Sequence, residues 1–221
     1  FQNKFLVSIT QSEKSYSLIR EPKLAAIVKK ISEQIGPNEE TVSSLISTDT
    51  PFGIPTNPQS SKKNPTKVFP SEGKGHDTKL LYLEKMERKI AYIDGSRITK
   101  NAADIYKEKV FVPEAGGSGT DPYVIGKPEY SSPKSVCSQT FLYAAFDSQS
   151  EAKNFITYMK TKFFRALVSA CKISQHAPSK AYRFVPKQDF SKRWTDTELY
   201  AKYGLTDDEI SFIESMIKPM E

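Results

Sequence analysis

Five prolines between residues 51 and 70 (Pro51, Pro55, Pro58, Pro65 and Pro70) limit what this chain can build more than any other feature. Proline lacks the amide proton that a helix interior or central strand must donate, and it restricts the residue before it. With Gly53, Gly73, Gly75 and several serines interleaved, they exclude long regular structure until about Asp77. The chain therefore reads as three parts: an N-terminal helical segment 1–50, a proline-rich loop and central sheet 51–147, and a helical C-terminal part 148–221.

Periodicity fills in these parts. Leu24, Ile27, Val28, Ile31 and Ile35 form one stripe at helical spacing, which predicts an amphipathic helix over 21–34, and a second short helix is expected over 39–46. Lys79 to Lys85 and Arg88 to Ile93 read as a hairpin around a Met86-Glu87 turn, closed by Asp94-Gly95. Lys109 to Val112 and Gln139 to Phe146 are further strands. Ser148 with Glu151, Thr195 with Glu198, and Thr206 with Glu209 have capping-box spacing, so helices are expected to begin there, the first long or kinked through Cys171. The alternation of Tyr182, Phe184 and Phe190 with Arg183 and Lys187 favours a half-buried strand over a stacking surface for bases. The expected class is α+β, mixed α/β: a mostly antiparallel or mixed central sheet with flanking helices.

Charge narrows the partner. The chain carries a net +6 with a pI near 9.1. From Lys160 to Arg193 nine basic residues face one acid, Asp189, and from Thr195 to Glu221 the balance inverts. A local excess of this kind is what a phosphate-facing surface requires. No apolar stretch is long enough to span a bilayer and no secretory segment opens the chain, so a cytoplasmic protein without a membrane partner is expected. Cys137 and Cys171 read as reduced, buried small hydrophobes. The start at Phe1 is expected of a piece of something longer.

Several strings are too particular to be generic helix or strand text: Pro51-Phe52-Gly53-Ile54-Pro55-Thr56-Asn57, Ser135-Val136-Cys137-Ser138-Gln139-Thr140-Phe141, Tyr158 to Arg165, Lys172-Ile173-Ser174-Gln175-His176, Tyr182 to Phe190, Trp194-Thr195-Asp196, and Lys202-Tyr203-Gly204-Leu205-Thr206. Together these resemble the C-terminal region of single-chain adenine-specific DNA methyltransferases of bacterial restriction-modification systems, some of which also carry a nuclease. The resemblance implies a DNA target-recognition domain, double-stranded DNA as partner, and a methyltransferase core upstream that binds S-adenosylmethionine, with no cofactor in this part. The residues agree: the Asn/Asp-Pro-Pro-Tyr/Phe motif that grips a flipped adenine is missing, and Asp121-Pro122-Tyr123 lacks its second proline and reads as a turn.

The candidate DNA contacts are Lys162, Arg165, Lys172, Gln175 and His176, along or just beyond one helix, with Lys180 and Arg183 following. Arg and Gln can pair bidentately with guanine and adenine edges, and Lys can neutralise phosphate. The competing reading is a solvated helix face, with Arg165 holding a buried carboxylate such as Asp189. Lys62 and Lys63, with Lys67, Lys74 and His76, either track a DNA backbone or form a solvated loop. Gly116 to Gly119 reads as a flexible turn in preference to a phosphate cradle, and Trp194 as core. Two other classes stand beside DNA recognition. A nuclease needs Asp121, Glu129 and Lys134, or Glu21 and Lys23, to converge on a metal. A structural docking domain would touch no bases.

Overall fold

The computed structural model describes residues 5–8, 16–35, 39–115, 121–172 and 176–220. In chain order its elements are β1 (Phe5–Ser8), β2 (Tyr16–Ile19), α1 (Pro22–Gln34), β3 (Val68–Phe69), β4 (Thr78–Glu84), β5 (Glu87–Ile93), β6 (Glu108–Pro113), β7 (Glu129–Ser131), β8 (Ser135–Cys137), β9 (Phe141–Phe146), α2 (Gln149–Lys160), α3 (Lys162–Ser169), α4 (Asp196–Lys202) and α5 (Asp207–Met216). The class is α+β. β1 and β2 form a separate antiparallel ribbon. One sheet runs β3-β5-β4-β8, antiparallel except for the parallel β4/β8 pair, and the other runs β7-β6-β9, antiparallel throughout.

Side-chain alternation explains how the layers stack. Along β6, Val110 and Val112 enter one core and Phe111 enters another; along β9, Leu142, Ala144 and Phe146 join the first while Phe141 and Tyr143 join the second. Successive strand residues point to opposite faces, so the β7-β6-β9 sheet is covered on both sides. That is why Val110 to Val112 and Phe141 to Phe146 are continuous apolar runs without polar alternation. The first core lies between this sheet and the helices. It takes Leu24, Ile27 and Ile31 from α1 together with Phe155, Phe164, Leu167, Leu199 and Ile213, so the N-terminal segment and the C-terminal part share one interior. The second core lies between the two sheets and is sealed by Phe52 and Ile54. A fully buried side chain such as Phe155 stabilises by roughly 1.5–3 kcal/mol through water exclusion alone.

The helix expected to be long or kinked is broken into two at Thr161. That residue has extended backbone (φ −62°, ψ 149°), and its hydroxyl accepts from Phe164 N–H. Asp196, arriving from α4, accepts from the N–H groups of Lys162 at 3.0 Å and Phe163 at 2.8 Å. These bonds satisfy donors that a helix start otherwise leaves open. The helix expected over 39–46 is a single 3-10 turn, Val42–Ser44, and the hairpin turns at Lys85-Met86, one residue earlier than read. The strand expected over 182–190 does not form: Tyr182 ends a 3-10 turn, and Tyr182, Phe184 and Phe190 are buried in the first core. The proline-rich segment contains only β3 as regular structure. It is nonetheless fixed at its start, where Phe52 stacks on Tyr143 at 4.8 Å and Asn101 donates to the Pro51 carbonyl.

Candidate nucleic-acid interface

Much of the basic C-terminal segment makes contacts with the rest of the chain, while Lys160, Lys180 and Arg193 form no salt bridge with any described residue. Arg165 is fully buried, and its guanidinium donates to the carbonyls of Thr161 (3.2 Å) and Lys160 (3.0 Å), with Tyr123 O at 3.5 Å. Burial pushes its pKa down, opposed mainly by the Asp196 carboxylate. Arg165 thus holds backbone carbonyls and no carboxylate among the described residues, and Asp189, expected as its partner, instead accepts from Ser191. Lys172 is also buried and donates to Val124 O. The Lys162 ammonium is paired with Glu214, Lys187 with Glu40, and Lys192 with Glu198. A buried guanidinium held by carbonyls cannot reach a base edge, so the expectation of DNA contact through Arg165 and Lys172 is corrected: both hold the fold together.

The remaining members of that set are scattered. His176 is exposed, with Nδ1 3.1 Å from both oxygens of Glu114. Arg183 is half-buried, donates Nε–H to the Cys171 sulfur at 3.2 Å and lies over the Phe184 ring. Lys180 is exposed on the 3-10 turn Ser179–Tyr182. Gln175 and Gly116 to Gly119 lie outside the described residues. Trp194 is buried as read, its indole donating to Asp189 O and its face covered by Lys192. Asp121 caps its own turn through Tyr123 N–H, Glu129 pairs with Arg88, and Lys134 pairs with Asp77. The residues that a nuclease would need together are therefore held in separate contacts.

A different surface collects free positive charge. The proline-rich loop folds over β4 and β5 to enclose a groove of about 1060 Å³, lined among others by Gln59, Lys62, Lys67, Phe69, Lys74, His76, Tyr82, Asp94 and Arg97. Lys62, Lys67, Lys74 and Arg97 form no salt bridge with any described residue. The single carboxylate in the wall, Asp94, accepts from the N–H and hydroxyl of Ser96, which hold its pKa below the usual range. Lys63 is exposed on the same loop.

The walls of this groove are set by local chemistry. Pro58 is buried, Asn64 donates to its carbonyl at 2.6 Å, and Ser61 N–H returns to Asn57 O, so this turn is closed by its own bonds. The Phe69 ring stacks on the His76 imidazole at 3.9 Å between centroids and 20° between planes, with Lys67 Nζ 5.3 Å from the Phe69 centroid. Gly73 backs the imidazole so closely that a Cβ there would lie 2.4 Å from His76 Nε2, which only glycine avoids. A planar aromatic pair among unpaired ammonium groups can stack a base and neutralise phosphate.

Of the groove residues, Lys62, Lys67, Lys74 and His76 were legible as a basic loop, together with Lys63 beside them. Gln59, Phe69, Tyr82 and Arg97 were not, because β4, β5 and the turn at Gly95–Arg97 bring them beside the loop only in three dimensions. No helix among the described residues is long and apolar enough to cross a membrane. Compared with protein-family models, with curated proteins and with solved structures, the chain matches none.

Proposed function

We propose that this chain is the DNA target-recognition region of an adenine-specific restriction-modification methyltransferase, and that its DNA-facing surface is the groove over β4 and β5. Methyl transfer, and S-adenosylmethionine with it, belong in this reading to an upstream core of the parent chain. The supporting observation is the contrast in pairing: Lys62, Lys67, Lys74 and Arg97 converge on one concavity, with Asp94 the carboxylate in its wall, and form no salt bridge with any described residue, whereas Lys162, Lys187 and Lys192 are tied to Glu214, Glu40 and Glu198. Phosphate contacts from the groove would supply most of the affinity and position the duplex, leaving sequence choice to side chains that reach base edges.

The test is the salt dependence of duplex binding by the 221-residue chain. If the four groove cations each neutralise one phosphate, log K falls against log salt with a slope of about −3 to −4. The triple variant Lys62→Ala/Lys67→Ala/Lys74→Ala flattens that slope by roughly 2 to 3. Lys187→Ala with Lys192→Ala leaves it unchanged. A salt-independent response in the unaltered chain, or a slope that survives loss of the groove lysines, overturns the proposal.

A further inference from the structure

We propose that Gln59 is a base-reading residue whose side-chain amide recognises the major-groove edge of an adenine. This rests on the groove being the DNA-facing surface and names what that surface reads. Gln59 is exposed, lies in the groove wall, and follows the buried Pro58 in the turn that Asn64 and Ser61 close. Its Nε2 donates to the Tyr82 hydroxyl at 2.7 Å. Tyr82 is only 5% exposed and belongs to the middle of β4, so one end of the amide is anchored on a rigid strand. The anchor uses one N–H. The second N–H and Oε1 remain, and Oε1 accepts no hydrogen bond from any described residue.

One donor and one acceptor side by side match adenine N7, which accepts, and adenine N6–H, which donates. Guanine offers two acceptors on the same edge, and a fixed amide cannot satisfy both with one donor. Tyr82 restricts the rotation that an exposed glutamine otherwise loses on binding, so the amide is oriented before DNA arrives. Asn64 Oδ1, in the wall of the same groove, is buried without a hydrogen-bond partner among the described residues, so the turn carries a further acceptor. Lys62 within the turn and Lys67 just after it line the same groove and would hold the adjoining phosphates.

The experiment selects duplexes with a randomised core on the unaltered chain and on Gln59→Ala, sequences the bound fractions, and measures affinity by fluorescence anisotropy. The unaltered chain is expected to enrich adenine at one position. Gln59→Ala loses about 5- to 150-fold of the discrimination at that position alone, with the same salt slope. Placing 7-deazaadenine there removes the acceptor, weakening the unaltered chain by a similar factor and Gln59→Ala no further. Tyr82→Phe, which deletes the anchor and keeps the ring, reduces the same discrimination partially; its urea midpoint reports that the fold is retained. An enriched motif that is identical in Gln59→Ala overturns the inference, as does an equal response of both proteins to 7-deazaadenine. Salt-dependent duplex binding without any enrichment overturns this inference while leaving the phosphate groove in place. Absence of duplex binding removes both.

Discussion

Arg165→Ala tests whether the most prominent arginine of the basic segment belongs to the fold or to a binding surface. Its guanidinium makes two well-formed donations, to Thr161 O and Lys160 O, and a third at the limit of hydrogen-bond distance. Two charge-assisted bonds contribute about 1.5 kcal/mol each at the low end of their range. The side chain is fully buried, so truncation leaves a void of roughly 100 Å³, costing about 2 kcal/mol at ~24 cal/mol per Å³. Relief of the desolvated charge offsets about 1–2 kcal/mol of this, consistent with burial pushing the pKa down. The expected net loss is about 3–4 kcal/mol, read as a urea midpoint lower by roughly 1–2 M at unchanged m. Arg165→Met keeps most of the volume and loses the donors, so it falls between the two proteins. Duplex affinity per folded molecule, and its salt slope, stay where they were. A loss under about 0.5 kcal/mol would place Arg165 among ordinary surface positions and refute this reasoning. A flattened salt slope at full stability would refute it too.

Three other outcomes follow from local geometry. Thr195 and Thr206 complete reciprocal capping boxes with Glu198 and Glu209, so Thr195→Ala and Thr206→Ala each lower stability by about 1 kcal/mol. Thermal midpoints equal to the parent's would show that neither box contributes. Lys85 and Met86 turn the β4–β5 hairpin at φ 51° and 68°, a region costly for residues with a Cβ, and Met86 is 90% exposed. Met86→Gly therefore raises the urea midpoint, by about 0.5–1 kcal/mol in stability, and an unaltered or lower midpoint counts against strain at this turn. Burial lowers the pKa of the Lys109 ammonium, which donates to Asp104 O, Ile105 O and Lys107 O, to about 8. An unfolded lysine titrates near ~10.4, so between about pH 8 and 10 the unfolded chain binds more protons and stability rises with pH, by at most ~1.4 kcal/mol per unit. The urea midpoint of the parent should gain on that of Lys109→Met from pH ~7 to ~9.5; a constant difference would sink the assignment.

Much of the fold was legible because its signals are local. The stripe of α1, the hairpin and the Thr195 and Thr206 caps each depend on residues within a few positions of one another. The place of the helix break and the lack of a strand over 182–190 were hidden because their causes are partly distant. Apolar periodicity runs unbroken from Phe155 through Phe163 and Phe164 to Leu167, and the restart at Lys162 is fixed by Asp196, more than thirty residues on. Alternating aromatics over 182–190 match a strand equally well. Pro186 reaches only an isolated bridge to Thr41, however, and core packing of the three rings decides the conformation.

The site was harder to read, and the reason lies in how charge is distributed. A run of lysines and arginines fixes charge per residue; a polyanion responds to charge that is unpaired and shares a surface. The acid excess after Thr195 looked like a separate feature of the sequence, yet it supplies the neutralising groups: α5 returns Glu214 to Lys162, and α4 brings Glu198 to Lys192 and Asp196 to the start of α3. Regular elements pack against one another, and in packing they bring partners to their charges. The loop of residues 58–76 forms almost no regular structure and contains one acid, Glu72, against Lys62, Lys63, Lys67 and Lys74. Its prolines prevent the helical spacing at which an acid one turn away would pair with each lysine. The folded chain adds Arg97 to this set and only Asp94 against it. The feature that most restricts secondary structure in this chain is thus also what leaves its groove lysines open to an external anion.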